Sequence, residues 1–182
     1  MLSELDDIAW LRAEAFYEDQ PHLRYVGSFK RQFKEQEARS LRDRTRHRPG
    51  QAGPDCVCLA AIKEDESSSA EVIGTLDAEP PGSALAQGRE GVPDDSTYVL
   101  NVVVSSKHRG QGIGSILMAA AAGMAKEEWS CSAICAHVSA QNDAAIALYK
   151  ACGYQEAATT QCAAPAAPGA LLGKQLFMVA SL

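Results

Sequence analysis

Tyr98-Val99-Leu100-Asn101-Val102-Val103-Val104 is followed by a polar turn through Lys107 and His108, and then by Arg109-Gly110-Gln111-Gly112-Ile113-Gly114-Ser115. Val, Leu and Tyr in an unbroken run predict a buried strand, and Ile113, Ile116, Leu117, Ala120 and Met124 recur at helical spacing. The stretch reads as strand, glycine turn, helix. Glycines leave backbone N–H groups unshielded at the helix start, where orphan donors and the positive end of the helix dipole favour an anion such as a pyrophosphate. The spacing excludes two common phosphate loops. In Gly-x-Gly-x-x-Gly, the last position is Ser115 counted from Gly110 and Leu117 counted from Gly112, and no Gly-Lys-Ser/Thr follows for a Walker loop.

Composition bounds the remaining possibilities. The 182 residues are most economically one domain, 46% hydrophobic and 22% charged, as expected of a globular protein. A net charge of -6 argues against a nucleic-acid binder held mainly by charge and is compatible with a cationic amine substrate. No apolar run is long enough to suggest a membrane span. The acidic opening from Met1 to Asp7 lacks a signal core and a transit pattern, so either there is no targeting segment or the sequence starts downstream of one. Cys56, Cys58, Cys131, Cys135, Cys152 and Cys162 form neither paired C-x-x-C knuckles nor a disulfide framework, and buried, reduced thiols with no metal are expected.

Along the chain, residues 5–20 carry amphipathic helical spacing through Ile8, Leu11, Ala15 and Phe16, with Pro21 as a stop. A second helix is expected over 23–46, with Tyr25, Val26, Phe29, Phe33 and Leu41 on one side and a basic run from Lys30 to Arg48 read as a solvated face rather than a phosphate or partner patch. Strands follow at 56–62 and 71–78, joined by a polar hairpin loop. A long loop covers 79–96, beside the central strand. After the central strand and its helix, over about 111–128, come a strand from Ser132 to Val138 and a helix capped by Asn142 and ended by Gly153. A strand from Tyr154, an Ala/Pro-rich turn at 163–169 and a last strand at 175–180 complete the order. The fold class is mixed α/β, with one parallel strand pair inside an otherwise antiparallel sheet.

The string from Arg109 to Gly114 resembles the R-x-x-G-x-G acetyl-CoA signature of the GNAT acetyltransferase superfamily, and Asn142 through Tyr154 is similar to its N-x-x-A-x-x-L-Y-x-x-x-G-F/Y segment. Tyr98, 14 residues before Gly112, and His137, five before Asn142, resemble the Tyr/His pair that serves as base in some protein N-terminal acetyltransferases of the superfamily. Leu11 to Glu18, Phe29 to Phe33, Gln36-Glu37 and the long loop resemble its plastid branch in plants and algae, and the similarity spans most of residues 5–160.

This resemblance implies a GNAT fold of one domain over 1–182, with helices flanking a sheet whose parallel pair is splayed, and with the customary first strand lying before Leu2. It implies acetyl-CoA as cosubstrate, transfer of acetyl to protein N-terminal α-amines and lysines, and a chloroplast location, with a cytoplasmic one as the alternative. The implied donor contacts are the backbone of Val102, Val103 and Val104, which would pair with the pantetheine arm beside a local bulge and supply an oxyanion N–H, the cradle of Arg109, Gly110, Gln111, Gly112, Ile113, Gly114 and Ser115, and Asn142 and Tyr149.

Tyr149 is the candidate acid for the departing thiolate, since a phenol of pKa about 10 stays protonated at neutral pH. His137 is preferred over Tyr98 as base, with a reference pKa of about 6.5. Asn101 stands where some relatives carry a carboxylate, so proton removal is expected to pass through water. A small-amine acetyltransferase and a non-catalytic acyl-CoA-binding module are the alternative readings. Partners other than the acceptor, whether nucleic acid or membrane, are not expected.

Overall fold

A computed structural model of the chain describes residues 2–20, 22–47, 53–64, 70–83, 91–157 and 174–182. The elements are α1 (Leu2–Phe16), α2 (Val26–Arg44), β1 (Val57–Glu64), β2 (Ala70–Glu79), β3 (Ser96–Val104), a 3-10 turn (Ser106–His108), α3 (Ile113–Glu127), β4 (Ala133–Ser139), α4 (Asp143–Ala151), β5 (Gln155–Glu156) and β6 (Gln175–Ser181). The strands form a mixed, mostly antiparallel sheet in the order β1-β2-β3-β4-β6-β5, with β3 and β4 parallel. The chain forms two compact units: Met1–Asp77 with Asn101–Leu117, and Ala78–Leu100 with Met118–Leu182.

In the first unit α1 packs along α2 around Ile8, Ala9, Ala38 and Leu41, with Leu5, Cys58 and Val72 against them. Leu41 is wholly buried, a contribution of roughly 1.5–3 kcal/mol from transfer alone. α1 ends at Phe16, short of the expected residue 20. Phe16 stacks on Phe33 at 4.9 Å and Tyr17 lies 6.4 Å from Phe29, and after Tyr17 the backbone passes to i→i−3 bonds, Glu18 N–H donating to the Ala15 carbonyl at 3.4 Å, so the regular helix closes before residue 20. Tyr25, expected on the helix face, instead precedes α2 at φ 65 and is exposed. The basic run is only partly a solvated face. Arg31, Arg39 and Arg46 are exposed, but Arg44 turns inward to a buried carboxylate, and Lys34 and Arg42 both pair with Asp6. Arg48 lies outside the described residues.

Gly74 of β2 fixes the position of α3's first turn. A Cβ there would stand 3.0 Å from Ile113 Cγ2 and 3.1 Å from Leu117 Cδ1, so the helix start rests on a strand position that has no side chain.

In the second unit β4 is paired along its whole length with β6, from Ala133↔Ser181 to Ser139↔Gln175. The parallel ladder with β3 is short, comprising Ser96↔Ala133, Thr97↔Ile134 and Tyr98↔Cys135. It ends there although β4 runs on to Ser139, in keeping with the expected splayed pair. Ile134, Cys135, Ala136 and Val138 are buried, as befits a strand between two others. Tyr98, Cys135 and Phe177 form a core with Val92, which anchors the end of the long loop. Residues 84–90 of that loop, the hairpin loop at 65–69, the Ala/Pro-rich turn and Cys162 lie outside the described residues. The strand expected from Tyr154 is a two-residue piece on β6. Among the described residues no helix is long and apolar enough to cross a membrane.

Candidate functional site

In the first unit the glycine turn folds as its spacing predicts. β3 ends at Val104, one 3-10 turn follows, Gly110 and Gly112 adopt φ 74 and 80, and α3 begins at Ile113. The first helical hydrogen bond runs from the Ile116 N–H to the Gly112 carbonyl at 3.0 Å. The N–H groups of Ile113, Gly114 and Ser115 therefore precede the helix's own ladder and remain as donors. A Cβ at Gly110 or Gly112 would meet nothing within 4 Å, so these glycines serve the turn's left-handed backbone and leave its outer side open. Loop, donors and open space together fit an anionic phosphate group.

Arg109 is half-exposed and already engaged. Its Nε donates to the Val104 carbonyl at 3.1 Å, and both terminal amino groups donate to Glu18, one at 3.2 Å. A carboxylate thus occupies the fork that the resemblance gives to phosphate. A cavity of about 730 Å³ lies beside this pair in the same unit, with Trp10, Tyr17, Glu18, Lys30, Val104 and Arg109 in its wall.

Upstream of Val102, the strand carries a left-handed residue, Asn101 at φ 53. Asn101 Nδ2 donates to Asp77 Oδ2 at 2.8 Å, and Asp77 is wholly buried. Arg12 donates to both Asp77 oxygens, at 2.7 and 2.8 Å, and Arg44 adds a third charged donor at 2.8 Å. Glu37 accepts from both arginines, at 2.7 and 2.8 Å, and balances the charge. Burial alone would raise the Asp77 pKa, but Arg12, Arg44 and Asn101 outweigh it and hold the carboxyl below its ordinary range. Asp77, the carboxylate that Asn101 reaches, is thus committed to arginine and is no general base. Burial, reinforced by Asp77, pushes the Cys58 thiol beside this network up to about 12, so it stays a neutral thiol. The network went unread in the sequence. Its one local signal is Arg12 itself, an arginine four residues after Ile8 on the apolar stripe of α1.

In the second unit the two candidate base residues meet. Tyr98 Oη lies 3.1 Å from His137 Nδ1, with the rings tilted at 5.7 Å, and the Phe177 ring packs against the imidazole at 4.9 Å. The register explains the meeting. Tyr98 faces Cys135 across the parallel ladder, and His137 lies two residues on, on the same face of β4. Tyr149 of α4 is 5% exposed. Its burial, then the phenol of Tyr98 and the thiol of Cys152, raise its pKa well above the ordinary phenol value, so it is a protonated acid at neutral pH.

Tyr154, the aromatic that closes the Asn142–Tyr154 segment, packs against Tyr149 at 5.3 Å, and its buried hydroxyl has no hydrogen-bond partner among the described residues. Asn142 is the helix cap that its position predicts, its side-chain oxygen accepting from the Ala145 N–H at 3.0 Å. Cys58, Cys131 and Cys152 are free thiols. Among the described residues no group of three or more His, Cys, Asp or Glu side chains could hold a metal ion.

Comparison with known proteins agrees with this geometry. Residues 6–154 match the family described as Acetyltransferase (GNAT) family. GCN5-related N-acetyltransferase 6, chloroplastic, of Arabidopsis thaliana is 30% identical over 167 residues, covering 81% of this chain and 56% of the relative. The chain thus spans about half the length of the curated relative it matches. Among solved structures, a PaiA N-acetyltransferase from Thermoplasma acidophilum in complex with coenzyme A superposes with a TM-score of 0.59 at 16% identity, over 100% of this chain and 92% of that one. A spermidine N-acetyltransferase SpeG chimera involving Vibrio cholerae superposes with a TM-score of 0.61 at 18% identity, again over 100% and 92%. At these identities the likeness is one of fold. With a family match over most of its length, this chain belongs to the acetyltransferase (GNAT) family.

Proposed function

We propose that the chain is one acetyl-CoA-dependent N-acetyltransferase domain that acetylates protein N-terminal α-amines, and lysine side chains more slowly, by direct attack of the amine on the thioester. The observation that carries this reading is the 3.1 Å Tyr98–His137 pair in the same unit as the protonated, buried Tyr149. Base and acid are then side chains of fixed geometry, as amine acylation requires. Acetyl-CoA supplies the activated acetyl group, and a coenzyme A complex is known for the PaiA enzyme of this fold.

The N–H groups of Ile113, Gly114 and Ser115 and the turn from Arg109 through Gly110, Gln111 and Gly112 hold the pyrophosphate. The backbone of Val102, Val103 and Val104 aligns the pantetheine arm and gives an N–H to the developing oxyanion. His137, oriented by Tyr98, takes the amine proton through water, and Tyr149 returns one to the leaving sulfur. Asn142 holds the start of α4 and thereby Tyr149, and contacts the donor. An α-amine, with a pKa of about 7.7–8.0, surrenders its proton more readily than a lysine at about 10.4, so N-termini are the faster acceptors. The chloroplastic relative supports a plastid location.

Coenzyme A release measured on peptides with defined first residues, beside a panel of free amines that includes spermidine, tests the reading. Turnover on the peptides supports it. Turnover confined to free amines establishes a small-amine enzyme instead, and acetyl-CoA binding without turnover on either establishes a binding module.

A further inference from the structure

Asn101 stands at φ 53 inside β3, a backbone region that side chains disfavour and that Asn tolerates when its short amide is tied by a hydrogen bond. The tie is Asp77, whose Oδ2 accepts from Asn101 Nδ2 at 2.8 Å. Asp77 has no freedom of its own. Arg12 grips both of its oxygens, Arg44 grips Oδ2, and Arg12 is fixed in turn by Glu37 at 2.7 Å and Thr75 Oγ1 at 2.9 Å. Two arginines and two carboxylates balance in charge, and a buried network of this kind adds little net stability over apolar side chains of the same volume. What it does provide is a rigid anchor for one exposed amide on a strained position of the strand.

We infer that Asp77 and Asn101 are positioning residues for the acetyl donor: the buried network holds Asn101 in its left-handed turn, and that turn sets the direction in which the backbone groups of Val102–Val104 are presented. The inference rests on the proposed pairing of the donor with those three residues. It places the origin of donor alignment partly in α1 and α2, since Arg12 and Arg44 are the groups that immobilise Asp77. Ala at position 101 keeps the strain and loses the tie, so the strand relaxes toward ordinary extended backbone. Gly loses the tie as well but takes a positive φ without strain, and so recovers part of the geometry.

Wild type, Asn101→Ala and Asn101→Gly are compared by calorimetric binding of acetyl-CoA, by separate KM values for acetyl-CoA and peptide, and by thermal melting. Asn101→Ala is expected to weaken acetyl-CoA binding and raise its KM about ten-fold, the order set by the cost of an untied left-handed residue. Peptide KM stays within about two-fold, the melting transition stays cooperative, and Asn101→Gly recovers about a third of the loss on a logarithmic scale. Unchanged acetyl-CoA affinity in Asn101→Ala overturns the inference, as does an equal rise in both KM values, or an Asn101→Gly no better than Asn101→Ala. A wild type that binds no acetyl-CoA overturns the donor reading itself, whereas wild-type binding with an indifferent Asn101→Ala overturns only this inference.

Discussion

Tyr149 and Arg109 carry the sharpest expectations for single residues. Tyr149 is buried and protonated beside Tyr98, and its hydroxyl is the only part that Phe would remove. General acid catalysis contributes about 10²–10⁴-fold, so Tyr149→Phe should lower kcat at least ~100-fold while the acetyl-CoA KM moves less than about two-fold. Steady-state kinetics with both substrates varied checks this. Arg109 gives the opposite pattern. Its guanidinium is shared between Glu18 and the Val104 carbonyl, and a bound pyrophosphate competes with Glu18 for it. Arg109→Ala should raise the acetyl-CoA KM about ten-fold with little change in kcat, and Glu18→Gln should lower that KM. The Arg109–Glu18 pair is exposed, so the Glu18 effect should fade as salt is added.

At the scale of elements, the parts legible in the sequence are those written locally. The strand, glycine turn and helix follow from residue type and period within 98–124, and Asn142 is a cap because the donor it accepts from lies three residues away. Replacing Asn142 by Ala should cost about 1 kcal/mol, measured as a shifted denaturant midpoint. The parts not legible depend on chain segments far apart. Phe16 at the end of α1 stacks on Phe33 of α2, and Arg12 finds Asp77 across 65 residues of sequence. Tyr98 and His137 were legible as residues, but only the register of the parallel ladder makes them a hydrogen-bonded pair. Gly74 went unread as well, since a glycine inside a strand does not announce the helix that rests on it. Gly74→Ala should displace the first turn of α3 by a few tenths of an ångström, and weaken acetyl-CoA binding more than peptide binding.

For the molecule as a whole, the Arg12–Asp77 network sets the acid limit of stability. Asp77 has a folded pKa below its unfolded value of 3.8, so its stabilisation is complete above 3.8 and is lost as pH falls through the lower folded value. Urea unfolding in wild type should therefore weaken below about pH 4, and Asp77→Asn should flatten that limb while costing roughly 3–5 kcal/mol at neutral pH by stranding the buried Arg12. The Cys58 thiol acts at the other end. With its pKa pushed up to about 12 from 9.0, it contributes stability that is complete below pH 9.0 and is lost as pH rises through 12. Alkylation at neutral pH should accordingly spare Cys58 until the chain unfolds.

Transfer itself is read most directly by fragmenting the peptide recovered after incubation with acetyl-CoA and wild-type protein, beside a Tyr149→Phe control. Acetyl on the α-nitrogen of the first residue, forming far more slowly in the control, is the expected result. Peptide recovered unmodified, with acetyl found only on free amines or with acetyl-CoA bound but unconsumed, would contradict it.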